Sequence, residues 1–136
     1  MNSELHNPGQ KGRVVLVSAG PGDPGLITAA GLEYLAAADV VVYDALSSPK
    51  LLAHVQLDAE LIYVGKRGGN HAKTQDQIND ILVEKAKSGK LVIRLKGGDA
   101  YLFGRGAEEL AYLSKHGVDA IALPGVTAGV AAPMMA

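Results

Sequence analysis

The chain of 136 residues has no cysteine and no tryptophan, and its aromatic residues are five tyrosines and one phenylalanine. Without cysteine there is no disulfide and no thiolate metal site. The histidines, His6, His54, His71 and His116, are too scattered along the chain to suggest a metal cluster, so no metal is expected. Charge of one sign is also missing: 13 basic residues face 14 acidic ones, a net charge of −1. With no basic excess and no basic face interleaved with aromatics, nucleic acid is not an expected partner. No apolar run approaches the roughly 18 residues of a membrane span, and the polar first dozen residues lack the apolar core of a signal peptide. These absences lead us to expect a cytoplasmic protein that engages no membrane. The length suits a single domain with a real core.

What is abundant is glycine, 17 residues, clustered where apolar runs end. Residues 1–12 read as a flexible leader, being polar and without an apolar period. Arg13-Val14-Val15-Leu16-Val17-Ser18 is a β-branched run of the kind buried on both faces of a parallel sheet. It enters Gly20-Pro21-Gly22-Asp23-Pro24-Gly25, where Asp23 is placed as an N-cap and Pro24 as the first helical residue. A helix is expected from Leu26 to Ala38, its inward stripe Ile27, Ala30, Tyr34 and Ala37. A second strand, Asp39 to Asp44, delivers a carboxylate to its exit, and a short helix from Ser48 to Val55 follows.

The third strand, Leu61-Ile62-Tyr63-Val64, runs into Gly65-Lys66-Arg67-Gly68-Gly69-Asn70-His71. Thr74 and Gln77 make a capping box for a helix that spans Gln75 to Ser88, with Ile78, Ile81, Leu82 and Ala86 inward and Gly89 as its stop. The apolar run Leu91-Val92-Ile93 leads through Arg94-Leu95-Lys96 into Gly97-Gly98-Asp99, and a helix follows from Ala107 to His116, ending at Gly117. A fifth strand, Val118 to Leu123, exits into Pro124-Gly125-Val126-Thr127-Ala128-Gly129. Strand and helix alternate throughout, which predicts an α/β fold: a mostly parallel five-stranded sheet with helices on both faces.

In such a sheet, ligands sit outside the carboxyl ends of the strands, and every glycine cluster falls at such an end. The charges in these loops restrict the ligand. A phosphate cradle needs amides backed by a lysine and a hydroxyl, whereas Gly97-Gly98 is followed by Asp99 and the first loop carries Asp23. Pro24 also breaks the amide array that a pyrophosphate needs, so dinucleotide binding is rejected. A carboxylate suits an amine, another cation or a ribose hydroxyl. On position alone, Asp99 is a helix cap or a ligand contact, Asp44 a solvated loop residue or a general base, and Lys66-Arg67 a solvated basic turn or part of a site.

Taken together, Gly20-Pro21-Gly22-Asp23-Pro24, Val41-Val42-Tyr43-Asp44, Gly65-Lys66-Arg67, Arg94 to Asp99 with Phe103-Gly104-Arg105-Gly106, and Pro124 to Ala128 resemble the tetrapyrrole methylase family. The resemblance runs in order from Arg13 to Ala136, and Gly65-Lys66-Arg67 and Arg94 to Asp99 are similar to members acting on uroporphyrinogen III. It implies S-adenosylmethionine as methyl donor and methylation of that substrate at carbons 2 and 7 to give precorrin-2, on the route to sirohaem and cobalamin. By the same resemblance the donor contacts Pro21, Gly97, Gly98, Asp99, Leu102, Thr127 and Ala128. Asp44 matches the family's proposed base and Lys66 its proposed proton donor. Lys66, Arg67, Lys73, Arg94, Lys96 and Arg105, on or near the expected rim, are suited to neutralise some of the substrate's carboxylates.

Ala100 departs from the family, which has proline there. The resemblance also implies a second α/β domain and a homodimer, with 13–136 as the first domain and an inactive or nearly inactive fragment by itself. The alternatives are another member of the family, or a non-catalytic binding or assembly fragment.

Overall fold

The computed structural model describes residues 11–19, 27–44, 49–66, 68–97 and 106–123. Five strands form one sheet: β1 (Arg13–Ser18), β2 (Val40–Tyr43), β3 (Glu60–Tyr63), β4 (Leu91–Lys96) and β5 (Asp119–Ala122). Their order is β3-β2-β4-β1-β5, and every pairing is parallel. Three helices, α1 (Ala29–Ala37), α2 (Gln75–Lys87) and α3 (Gly106–Lys115), and a 3-10 segment (Pro49–His54) connect them. Among the described residues, no helix is long and apolar enough to cross a membrane.

The order of the strands follows from crossovers of one hand. The steps β1 to β2 and β2 to β3 run one way, with α1 and the 3-10 segment on one face. The steps β3 to β4 and β4 to β5 run back, with α2 and α3 on the other. Each face therefore has its own core. Val15, Val17, Val41, Ile93 and Leu95 pack with Leu35 of α1 and Leu51 of the 3-10 segment. On the opposite face Val14, Leu16, Val40, Val42 and Val92 pack with Ile78 and Leu82 of α2 and Leu113 of α3. Burial on both sides is what makes these strands continuous apolar runs.

Several elements depart from the sequence expectation. The cap of α1 is Thr28, not Asp23: its hydroxyl accepts from the Gly31 N–H at 3.1 Å, while Asp23 and Pro24 lie outside the described residues. The inward stripe is also displaced by one residue, since Ala30 is exposed and Gly31, Leu35 and Ala38 are buried. The helix is apolar nearly all round, so its composition leaves the phase open. Gly31 decides it, because a Cβ there would come within 3.1 Å of Val17 and Ile27 and the bare backbone lets α1 approach β1.

Gly12 is not part of a free leader. It is buried, and a Cβ on it would collide with the Ala86 carbonyl at the end of α2. In α2 the capping box forms as expected, with the Thr74 hydroxyl accepting from the Gln77 N–H and the Gln77 side chain accepting from the Thr74 N–H. Its stripe differs in that Asn79 is buried and Ile81 only half-buried. Gly89 and Gly117 end α2 and α3 at φ 86° and 74°, the left-handed region that other residues avoid. β4 runs three residues past its apolar stretch, because Arg94, Leu95 and Lys96 continue the ladder beside Leu16, Val17 and Ser18.

Candidate active site

The direction of winding reverses between β1 and β4, which are neighbours in the sheet. At such a switch point the loops leaving the two strands turn to opposite faces and open a crevice at the carboxyl edge. Ser18 lies opposite Lys96, and the Ala19 N–H donates to the Lys96 carbonyl at 2.6 Å. The glycine-bearing segments that follow β1 and β4 thus start side by side. On the other flank of β4, the register pairs Tyr43 with Leu95, so Asp44 leaves β2 next to Lys96 and Gly97.

On the α2/α3 face of this edge the core changes from apolar to ionic. Arg94 and Lys96 follow Val92 at every second position of β4, and therefore share its face. Glu109 of α3, 0% exposed, meets them both: its Oε2 accepts from Arg94 Nε at 3.3 Å, and its Oε1 from Lys96 Nζ at 3.4 Å. Gln75 Nε2 of α2 donates to Glu109 Oε2 and to Asn79 Oδ1, each at 2.9 Å. The other end of the guanidinium donates from Nη1 to the carbonyls of Val42 and Leu95 at 3.5 and 3.4 Å. Its Nη2 stands 3.8 Å from Asp44 Oδ2, an ionic contact too long for a hydrogen bond.

Among the described residues, two cations and two anions balance in this cluster. Removing charges from water is costly, and mutual pairing offsets that cost only when the remaining donors and acceptors are also satisfied. The amides of Gln75 and Asn79 and the two backbone carbonyls meet that condition. Burial lowers the Lys96 ammonium below its ordinary pKa, against the opposing pull of Glu109, with the Arg94 charge adding to the lowering. Asp44, with its side chain 24% exposed, is the member open to solvent; that of Arg94 is 4% exposed.

Arg94, expected on or near the rim, lies just under it, buried and held between Glu109 and Asp44. Lys96 is half-buried, with its ammonium bound to Glu109. Lys66 is exposed at the exit of β3, its carbonyl accepting from the Tyr63 hydroxyl at 3.1 Å. Beside it, Tyr43, Tyr63, Gly65, Asn70, His71 and Lys73 line a cavity of about 390 Å³. Gly97, half-buried, follows directly after β4. Pro21, Arg67, Gly98, Asp99, Leu102, Arg105, Thr127 and Ala128 lie outside the described residues. Glu109 was missed by sequence reasoning. The available signal was the alternation of Arg94 and Lys96 within a buried strand, which requires an internal counter-charge. Among the described residues, no group of three or more acidic or histidine side chains is arranged to hold a metal ion.

This edge can be set beside known proteins. The tetrapyrrole (corrin/porphyrin) methylase profile matches residues 13–136. The chain belongs to the tetrapyrrole methylase family. It is 58% identical over 125 residues to the uroporphyrinogen-III C-methyltransferase of Methanocaldococcus jannaschii, covering 92% of this chain and 52% of that protein. To a siroheme synthase of Pectobacterium atrosepticum it is 56% identical over 118 residues, covering 87% of this chain and 26% of the other. Among solved structures, the uroporphyrin-III C-methyltransferase of Thermus thermophilus complexed with S-adenosyl homocysteine superposes with a TM-score of 0.76 at 43% identity, over 90% of this chain and 52% of that one. A cobalt precorrin-4 methyltransferase superposes at 0.77 with 35% identity, over 90% of this chain and 49% of its own. The chain thus spans about half the length of the first of these relatives and about a quarter of the second. The solved relatives share the all-parallel sheet described above over about half of their own length.

Proposed function

We propose that this tetrapyrrole methylase chain supplies one half of the active site of an S-adenosylmethionine-dependent enzyme that methylates uroporphyrinogen III at carbons 2 and 7 to precorrin-2. The observation that carries the reading is the meeting of β1, β4 and β2 exits at one switch point, with a solvent-open carboxylate, Asp44, beside them. The donor has a sulfonium, an ammonium and ribose hydroxyls but no phosphate. The described residues fit that chemistry, since the lysine at the exit of β4 is tied to Glu109 instead of being offered to a phosphate.

In this reading Pro21, Gly97, Gly98, Asp99, Leu102, Thr127 and Ala128 hold the donor. A pyrrole carbon displaces the methyl group from sulfur, whose bond electrons remain on the homocysteine product, and the proton lost from the substrate passes to Asp44. Lys66 stands at the position of the family's proposed proton donor, and Arg67 and Arg105 neutralise substrate carboxylates. Arg94 acts through Asp44, and Lys96 through Glu109. A second domain completing the cleft, a homodimeric whole protein and a cytoplasmic location belong to the same reading.

Calorimetric titration with S-adenosylhomocysteine, with ATP as control, tests it. Heat specific to the homocysteine ligand is the expected result. Binding of ATP alone would replace the reading with a nucleotide-phosphate site, and silence with both ligands would leave a folding or assembly unit. In a full-length relative, Asp44→Ala should lower turnover by at least about a hundredfold, the scale of a lost general base; near-normal rates would remove Asp44 from the mechanism.

A further inference from the structure

The carboxyl edge of the sheet continues outward past Asp44. Tyr43 pairs with Leu95 on one side and with Tyr63 on the other, so β2 stands between β4 and the outer strand β3. In the proposed function the donor lies on the β4 side. On the opposite side, one strand spacing of about 5 Å away, the cavity of about 390 Å³ opens at the exit of β3. One of its walls is aromatic: the rings of Tyr43 and Tyr63 meet edge to face, with centroids 5.3 Å apart and planes at 64°. Asn70, His71 and Lys73, from the segment that follows β3, line the other. Backbone bonds hold this frame in place. The Tyr63 hydroxyl donates to the Lys66 carbonyl at 3.1 Å, and the Lys73 N–H donates to the Val64 carbonyl at 3.0 Å.

We propose that this cavity is a subsite for one carboxylate-bearing pyrrole ring of the acceptor, which rests against Tyr43 and Tyr63 with an acid arm on the Lys73 ammonium while another ring of the same molecule is held beside Asp44. Charge supports this occupant. Among the described residues no acidic side chain lines the cavity, whereas each buried cation of the neighbouring cluster meets a carboxylate. Lys73 is exposed, and Lys66 follows directly after the lining Gly65, so the rim is cationic and draws anions. Size supports it as well. The volume is at the low end of ligand pockets, about 300–1,000 Å³, which suits a single substituted pyrrole and not a four-ring macrocycle. The tyrosine rings offer a flat apolar surface to an aromatic ring, and a lysine, as a compact charge on a flexible stem, follows an arm that can swing. Donor and acceptor then approach Asp44 from opposite flanks of β2.

The inference rests on the proposed function for the identity of the acceptor, and its test reads binding, not turnover. The probe is a monopyrrole bearing one acetate and one propionate arm, titrated into the isotope-labelled chain and followed by backbone amide resonances. With about 14 heavy atoms it should bind with a Kd of roughly 1 mM, the scale for a ligand of that size. Saturable shifts should fall on Tyr63, Gly65, Asn70, His71 and Lys73. The dimethyl ester keeps the ring and loses the charges, and propionate alone keeps a charge and lacks the ring. Each should bind at least about fivefold more weakly than the diacid, as should the diacid to Lys73→Met, an exposed change that spares the core. No saturation at these residues by roughly 10 mM diacid overturns the inference. So does an ester or propionate that binds as well as the diacid, or a Lys73→Met chain of unchanged affinity. The two readings fail separately. Pyrrole binding without heat from S-adenosylhomocysteine removes the methyl-transfer reading and leaves the pyrrole subsite; heat without pyrrole binding removes the subsite alone.

Discussion

The two faces of the sheet are built from the same strands and end differently. On the α1 face the core stays apolar to the last pleat, through Val17, Ile93 and Leu95. On the α2/α3 face it stops one pleat earlier, and Ser18, Arg94, Lys96 and Asp44 occupy the positions that follow Leu16, Val92 and Val42. One face is maintained by packing alone, the other by packing plus an ionic cluster. The change falls at the carboxyl edge beside the switch point, where a site needs polar groups of defined orientation. The opposite face can stay apolar because it holds only α1 and the 3-10 segment in place. Charge in this core is therefore local, and its placement follows from the topology.

The contrast can be broken most severely at Glu109. Glu109→Ala leaves two buried cations without their shared anion and should cost about 3–5 kcal/mol in urea unfolding. A loss under about 1 kcal/mol would mean that the cluster rearranges freely. Leu35→Ala, on the apolar face, should cost about 2–5 kcal/mol through the cavity it leaves. This loss should be the same at every pH where the chain folds, and a pH-dependent loss would contradict a dry face.

Lys96 sharpens the comparison by its sign. Its pKa is lower in the folded chain than the ordinary 10.5, so between the lowered value and 10.5 the unfolded chain binds more protons. Stability contributed at this site must therefore rise with pH across that window. The difference in unfolding free energy between the unmutated chain and Lys96→Met should grow in favour of the former from neutral pH toward 10.5; a flat difference would mean that Lys96 is not desolvated. The smallest effect is expected away from both faces, where Thr74→Ala removes the capping box of α2 and should cost about 1 kcal/mol.

Much of this was legible in the chain. The apolar runs placed five strands correctly, and most clearly the three inner ones, β1, β2 and β4, where burial on both faces writes itself as runs of Val, Ile and Leu. Glycines and the Thr74–Gln77 pair marked where helices begin and end, because caps are settled by nearest neighbours. Asp44 could be recognised as a strand-exit carboxylate. Arg94 and Glu109 could not be read correctly, because the first looked like a rim cation and the second like one of two ordinary acids in a helix's first turn. Likewise, the alanines of α1 fit either of two stripes, and a contact with Val17 and Ile27 chose between them.

Sequence alone determined which segments extend, which coil and where they turn, since backbone conformation and solvent preference act over a few neighbouring residues. Strand order, the pairing of β1 with β4 and the meeting of Arg94, Lys96, Glu109 and Asp44 were decided only by tertiary structure. Residues 44 and 109 are far apart along the chain, and their charges become partners only when the crossovers fold β2 and α3 against the same edge of β4.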